Sequence, residues 1–92
     1  MSNTQKKLKD PNAVVDFFID WTDWLATGET ISTSTWTAES GITVDTSSNS
    51  TVKATVWLSG GTAGTEYTLT NRIVTNAGRT DERRLFITVT ER

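Results

Sequence analysis

From Val15 onward apolar and polar residues alternate at every second position, in short runs broken by clusters of Gly, Ser, Asn and Asp. Val15, Phe17, Ile19 and Trp21 share one parity and Asp16 and Asp20 the other, which is the period of a half-buried strand. Val14 and Phe18 put apolar side chains on the polar parity, so this strand has cover on both sides or its outer face meets a partner. Thr30 to Ala38, with Ile31 and Trp36, and the run beginning Ile42 and Val44 predict two more short strands joined at Ser40-Gly41. Ser47-Ser48-Asn49-Ser50 reads as a polar loop. After it Val52, Ala54, Val56 and Leu58 face one way while Thr51, Lys53, Thr55 and Trp57 face the other, the clearest strand of the chain.

Gly60-Gly61-Thr62-Ala63-Gly64 predicts a turn, since glycine supplies the positive φ that tight turns require. Tyr67, Leu69, Asn71 and Ile73 then alternate with Thr68, Thr70, Arg72 and Val74, and Asn76-Ala77-Gly78 turns the chain again. In the last strand Leu85, Ile87 and Val89 point inward and Arg84, Phe86, Thr88 and Thr90 outward. Between the first strand and Thr27-Gly28, the segment Thr22-Asp23-Trp24-Leu25-Ala26 is too short for a stable helix and predicts a single turn capped by Thr22 or Asp23. Six strands, with room for a short seventh near the N-terminus and turns about every ten residues, predict an all-β fold. The expected class is an immunoglobulin-like antiparallel β-sandwich of about seven strands. Trp36 takes the place of that fold's core Trp, Tyr67 that of its tyrosine corner, and Leu69 that of its second cysteine. Residues 13–92 are assigned to the sandwich. Residues 1–12, with Lys6, Lys7 and Lys9 ahead of Asp10-Pro11, are expected to be a flexible basic arm.

Composition narrows the function. With 92 residues there is room for one domain, and 35% hydrophobic content points to a thin core. Thr supplies 19 of the residues, and its branched Cβ suits strands. Four Trp, three Phe and a net charge of only −2 argue against disorder. There is no Cys, so no disulfide or thiolate site, and no His, which removes the commonest general base and metal ligand. The N-terminus has no apolar run of a signal peptide, and no stretch approaches a membrane span, so synthesis in the cytosol and no membrane partner are expected. A pI near 4.9 argues against nucleic acid as a partner.

The remaining chemistry reads as structure. Asp16 and Asp20 share a strand face but lie about 13 Å apart at ~3.3 Å per residue, too far for a retaining glycosidase pair or for one ion. The glycine segment lacks the Gly-Lys-Ser/Thr ending and the following helix of a phosphate cradle. Arg79, Arg83 and Arg84 are interleaved with Asp81 and Glu82, which predicts a solvated hairpin rather than a basic patch. No catalytic, cofactor-binding or metal residue is assigned. What is left is a set of aromatics on the outward parity or in the corner, Trp57, Phe18, Phe86 and Trp24, taken as the interaction surface. Trp24 and Trp57 could equally serve as sugar-stacking platforms of a carbohydrate-binding module.

Three stretches carry a family resemblance: Asp10-Pro11 through Asp20-Trp21, Trp57-Leu58-Ser59-Gly60-Gly61-Thr62-Ala63-Gly64-Thr65-Glu66-Tyr67, and Asn76-Ala77-Gly78-Arg79-Thr80-Asp81-Glu82-Arg83. Together they resemble a family of small tailed-bacteriophage proteins, fibre-tail adaptor-type or virion structural proteins. The resemblance implies a morphogenesis component that bridges tail parts through an immunoglobulin-like module. It implies no enzymatic activity and no cofactor. The partners implied are other phage virion and tail proteins, with self-association left open. The expected location is the bacterial host cytoplasm and then the virion.

Overall fold

The computed structural model describes residues 4–91 and contains seven strands: β1 (Thr4–Lys9), β2 (Val15–Asp20), β3 (Ile31–Ala38), β4 (Ile42–Asn49), β5 (Lys53–Gly60), β6 (Glu66–Thr75) and β7 (Thr80–Val89). They form a four-stranded sheet in the order β1-β7-β6-β3 and a three-stranded sheet in the order β2-β5-β4. All pairings are antiparallel except β1 with β7, which is parallel. Strands two, five and four on one sheet and three, six and seven on the other follow the strand order of the immunoglobulin Greek key, with the first strand moved to the edge of the seventh. The molecule is 19 Å across its thinnest axis, two sheets with one shared layer of side chains.

That layer is the alternating set expected of the sequence. Ile19, Ala54, Val56 and Leu58 from one sheet meet Leu69, Ile73, Leu85, Ile87 and Val89 from the other, all fully buried, with Trp21, Ile31, Trp36, Ile42 and Tyr67 completing the core. Tyr67 opens β6 as a tyrosine corner does: its hydroxyl accepts a hydrogen bond from the Thr62 N–H at 2.9 Å. Two glycines make room for its ring. A Cβ on Gly41 would lie 2.9 Å from Tyr67 Cε1, and one on Gly61 would lie 3.4 Å from Cε2 and 2.6 Å from Val89 Cγ2.

Two expectations are corrected. Residues 4–9 of the expected flexible arm form β1, held by the parallel ladder to β7 and by Lys9, which is 1% exposed. The Lys9 ammonium donates to the carbonyls of Gly60 (2.7 Å) and Asp10 (2.9 Å), and burial lowers its pKa from the ordinary lysine value. Lysine on an edge strand is a common guard against edge-to-edge pairing, so the same residues that look like a solvated tail suit an edge. The remainder of the arm before Thr4 lies outside the described residues. Secondly, Ser47, Ser48 and Asn49 are not loop but the end of β4, paired with Val56, Thr55 and Ala54 after a bulge between Val44 and Thr46. Backbone pairing to β5 suffices for the end of this edge strand, where the side chains from Asp45 to Asn49 are all exposed. The turn follows at Ser50, whose hydroxyl accepts from the Lys53 N–H at 3.1 Å.

Candidate functional site

The outward aromatics do not form one surface. In the β2–β5 register Asp16 stands opposite Trp57, Phe18 opposite Thr55, and Asp20 opposite Lys53. Phe18 and Trp57 are therefore diagonal neighbours on the outer face of the three-stranded sheet, about 7–8 Å apart at the backbone. They are 48% and 40% exposed, and Val14, one residue before β2 on the same parity as Phe18, is 56% exposed. The Lys53 ammonium lies 4.6 Å over the Phe18 ring and covers part of it. Single exposed hydrophobics are ordinary, but three on one parity of one face make a patch with a polar rim of Asp16, Asp20, Lys53 and Thr55. β4 continues that face, with Thr46 opposite Trp57 and Ser48 opposite Thr55.

Phe86 lies on the opposite side of the sandwich. It is half-buried on the outer face of the four-stranded sheet, aligned with Lys6 on β1 and with Thr68 on β6. Leu8, which sequence parity did not single out, is beside it and 55% exposed.

Trp24 belongs to neither face. The residues after β2 make the expected single turn, with the N–H groups of Trp24 and Leu25 donating to the Trp21 carbonyl at 2.9 and 3.0 Å. The cap is Asp20, whose carboxylate accepts from the Thr22 N–H (2.9 Å) and hydroxyl (2.5 Å); these bonds hold its pKa below the ordinary carboxylate value. Trp24 meets Trp21 edge to face with ring centroids 5.4 Å apart, and the Arg79 guanidinium covers one of its faces at 4.1 Å. One face of the Trp24 ring is thereby covered, and the residue is half-buried. The end of β2, where the corner begins, is itself about 13 Å along the sheet from the level of Trp57.

The arginines around this corner correct the solvated-hairpin reading. Arg79 Nε donates to Glu29 Oε2 at 2.9 Å, its Nη2 is ion-paired with Glu29 Oε1, and Nη2 also reaches the Trp24 carbonyl at 3.3 Å. Glu29 is buried, 7% exposed, and accepts further bonds from the Thr75 hydroxyl (2.6 Å) and the Ala26 N–H (2.9 Å). The Arg79 and Thr75 bonds lower its pKa from 4.5 to about 2. Arg83 is 5% exposed, lies 4.3 Å over the Trp21 ring, and donates to the Asp20 carbonyl (3.2 Å) and to Asp23 Oδ1 (3.3 Å). Behind it Trp21 Nε1 donates to Asn71 Oδ1 at 3.0 Å, and Asn71 Nδ2 donates to Ser34 Oγ at 2.9 Å. Of the three, Arg83 is buried, Arg84 is exposed, and Arg79 keeps 46% of its side chain exposed while paired with Glu29.

Ala26, Gly28, Glu29, Asn76 and Arg79 line an open groove of about 390 Å³. Its charged groups are committed to one another, and Asn76 Oδ1 accepts from the Thr30 N–H at 3.0 Å. The groove is a tie between the Ala26–Thr30 loop and the β6–β7 hairpin. Among the described residues no three His, Cys, Asp or Glu side chains gather as a metal site. The missed residues had one legible signal: Arg83 has the parity of Leu85 and Ile87, which places it inward.

Comparison with known proteins supplies the wider frame. Residues 9–88 match the family model of the podophage GP4 fiber-tail adaptor protein gp77, and no curated protein matches the chain. Those 80 of 92 residues run from the last residue of β1 to near the end of β7, so the chain belongs to that family of phage fibre-tail adaptor structural proteins.

Proposed function

We propose that, as a member of the fibre-tail adaptor family, this chain is a non-enzymatic bridging piece of the virion, and that it docks through the outer face of β2 and β5. Phe18 and Trp57 are the anchors of that contact. The observation that carries the reading is their joint exposure, with Val14, on one face whose opposite side is fully packed core. Aromatic side chains ringed by polar residues are what a protein interface uses for affinity, since burying them removes apolar area from water while the rim excludes solvent. The partners are other phage virion and tail proteins. The chain is made in the host cytoplasm and leaves it in the particle, using neither metal nor cofactor.

The test is a phage carrying Trp57→Ser. An exposed substitution changes folding stability by about 0.5 kcal/mol or less, whereas loss of an interface anchor costs about 2 kcal/mol or more of binding. The variant should fold normally and be depleted from purified virions, together with the fibre. Virions with unchanged composition and infectivity would overturn the assignment of this face.

A further inference from the structure

We infer that β3 is a self-pairing edge, and that two copies of this chain join β3 to β3 about a two-fold axis into one continuous sheet. The inference is separate from the reading of the Phe18–Trp57 face and uses a different part of the molecule.

The sandwich has four edge strands, β1 and β3 on one sheet and β2 and β4 on the other. Unpaired backbone groups along an edge invite another chain, and edges are ordinarily blunted by charge, proline or a bulge. β1 carries Lys6, Lys7 and Lys9, β2 carries Asp16 and Asp20, and β4 carries Asp45 with a register shift between Val44 and Thr46. β3 has no charged residue and no proline. Its own irregularity lies at its start, between Ile31 and Thr33, where the Ile31 N–H already donates to the Thr51 carbonyl at 2.8 Å. From Ser34 to Ala38 the register with β6 is unbroken.

Backbone phase defines what this stretch offers. The Glu39 N–H donates to the Thr68 carbonyl at 3.1 Å, so on the two-residue period Thr37 and Thr35 also turn their backbone groups to β6. Ser34, Trp36 and Ala38 turn theirs to the open side, where no strand pairs with them among the described residues. Trp36, at the centre, adds a second unmet donor: it is 9% exposed, and its indole N–H is buried without an acceptor among the described residues.

Self-complementarity names the occupant. A two-fold antiparallel pairing of β1 sets Lys against Lys and one of β2 sets Asp against Asp, whereas β3 brings no charge to its copy. Centred on Trp36, the register puts Trp36 opposite Trp36 and Ser34 opposite Ala38 of the second copy, so all three open residues exchange backbone hydrogen bonds. On the outer face it sets the exposed Thr35 opposite Thr37 at the closer, non-hydrogen-bonded spacing, where threonine pairs are favourable. Glu39, just past the strand, meets Thr33. Because the axis is perpendicular to the sheet, both Phe18–Trp57 faces come to the same side of the pair. Five residues a side make a small contact, so the association is weak.

The chain has no cysteine, so the pairing is read by disulfide trapping between single-cysteine variants of the full chain. Across the proposed register, positions 35 and 37 of the two copies stand about 4.5 Å apart at Cα, within disulfide reach. Position 35 to 35, or 37 to 37, is a diagonal of about 7–8 Å, past the limit of about 7 Å. Thr35→Cys and Thr37→Cys, each checked for an unchanged circular dichroism spectrum, are oxidised separately and mixed at about 1 mM, the weak end of specific association. The mixture should give a disulfide-linked heterodimer by mass spectrometry at least about tenfold faster than either variant alone gives a homodimer. No linked dimer from the mixture, or equal rates in the mixture and the separate variants, overturns the β3 pairing. Adding Trp57→Ser to both variants should leave trapping unchanged, and its loss there overturns the pairing too. The docking face is answered apart from this, by the Trp57→Ser virion.

Discussion

Glu29 and Arg79, fifty residues apart in sequence, form a two-point ion pair whose carboxylate is almost fully removed from solvent. The pair clamps the loop after the β2 corner to the β6–β7 hairpin and presses the guanidinium onto Trp24. It makes stability depend on pH. Since the folded carboxyl has its pKa lowered from 4.5 to about 2, the unfolded chain takes up the proton first on acidification. The stabilisation is present above the unfolded value and is lost as pH falls through the interval down to about 2. Urea midpoints of the wild type should therefore drop between about pH 6 and about pH 2.5, and Glu29→Gln should be less stable at the upper pH with a smaller acid drop. Asp20, whose pKa is also lowered, leaves a residual slope in the variant.

A second prediction concerns Asn71, which is fully buried and bridges Trp21 Nε1 to Ser34 Oγ. Asn71→Leu matches the surroundings in polarity but leaves the indole N–H without its acceptor. The expected cost is about 2–3 kcal/mol, the desolvation penalty of a buried donor added to the lost bonds. Ser34→Ala, at a partly exposed site, should cost less than about 1 kcal/mol. Denaturant unfolding followed by Trp fluorescence separates the two.

The turn between β5 and β6 offers a comparison of two glycines with similar backbone and different space. Gly61 and Gly64 have φ of +96° and +86°, yet a Cβ would meet Val89 Cγ2 at 2.6 Å in the first and nothing within 4 Å in the second. Gly64→Ala should lose about 1–2 kcal/mol from the left-handed backbone alone. Gly61→Ala should lose about 1–3 kcal/mol more, because β-branched Val89 cannot swing aside without leaving its rotamer. Equal losses would show that the Tyr67 corner tolerates the crowding.

The strands around Ile19, Val56, Ile73 and Ile87 were readable because one face of each is apolar, and Tyr67 because a tyrosine after a glycine turn has a specific task. β1 was not readable, since an edge strand rich in lysine imitates a disordered tail. Nor was the end of β4, where pairing with β5 needs only backbone groups and Ser and Thr side chains imitate a loop. The buried Glu29 and Arg83, and the pairing of Glu29 with Arg79, were missed because charge reads as solvent exposure, and their partners lie tens of residues away. Parity correctly set Phe18 and Trp57 outward, but the pairing of strands, invisible in local pattern, decides that Phe86 is on the far side and Trp24 in the corner.

The proposed docking requires that the Phe18–Trp57 face be covered in the assembled particle. Covalent radical labelling read by mass spectrometry, on the free protein and on intact virions, measures that directly. Trp57 and Phe18 should be labelled in the free chain and protected in the virion, while an exposed residue outside that face keeps its reactivity. Equal labelling of Trp57 in both samples would contradict the central claim.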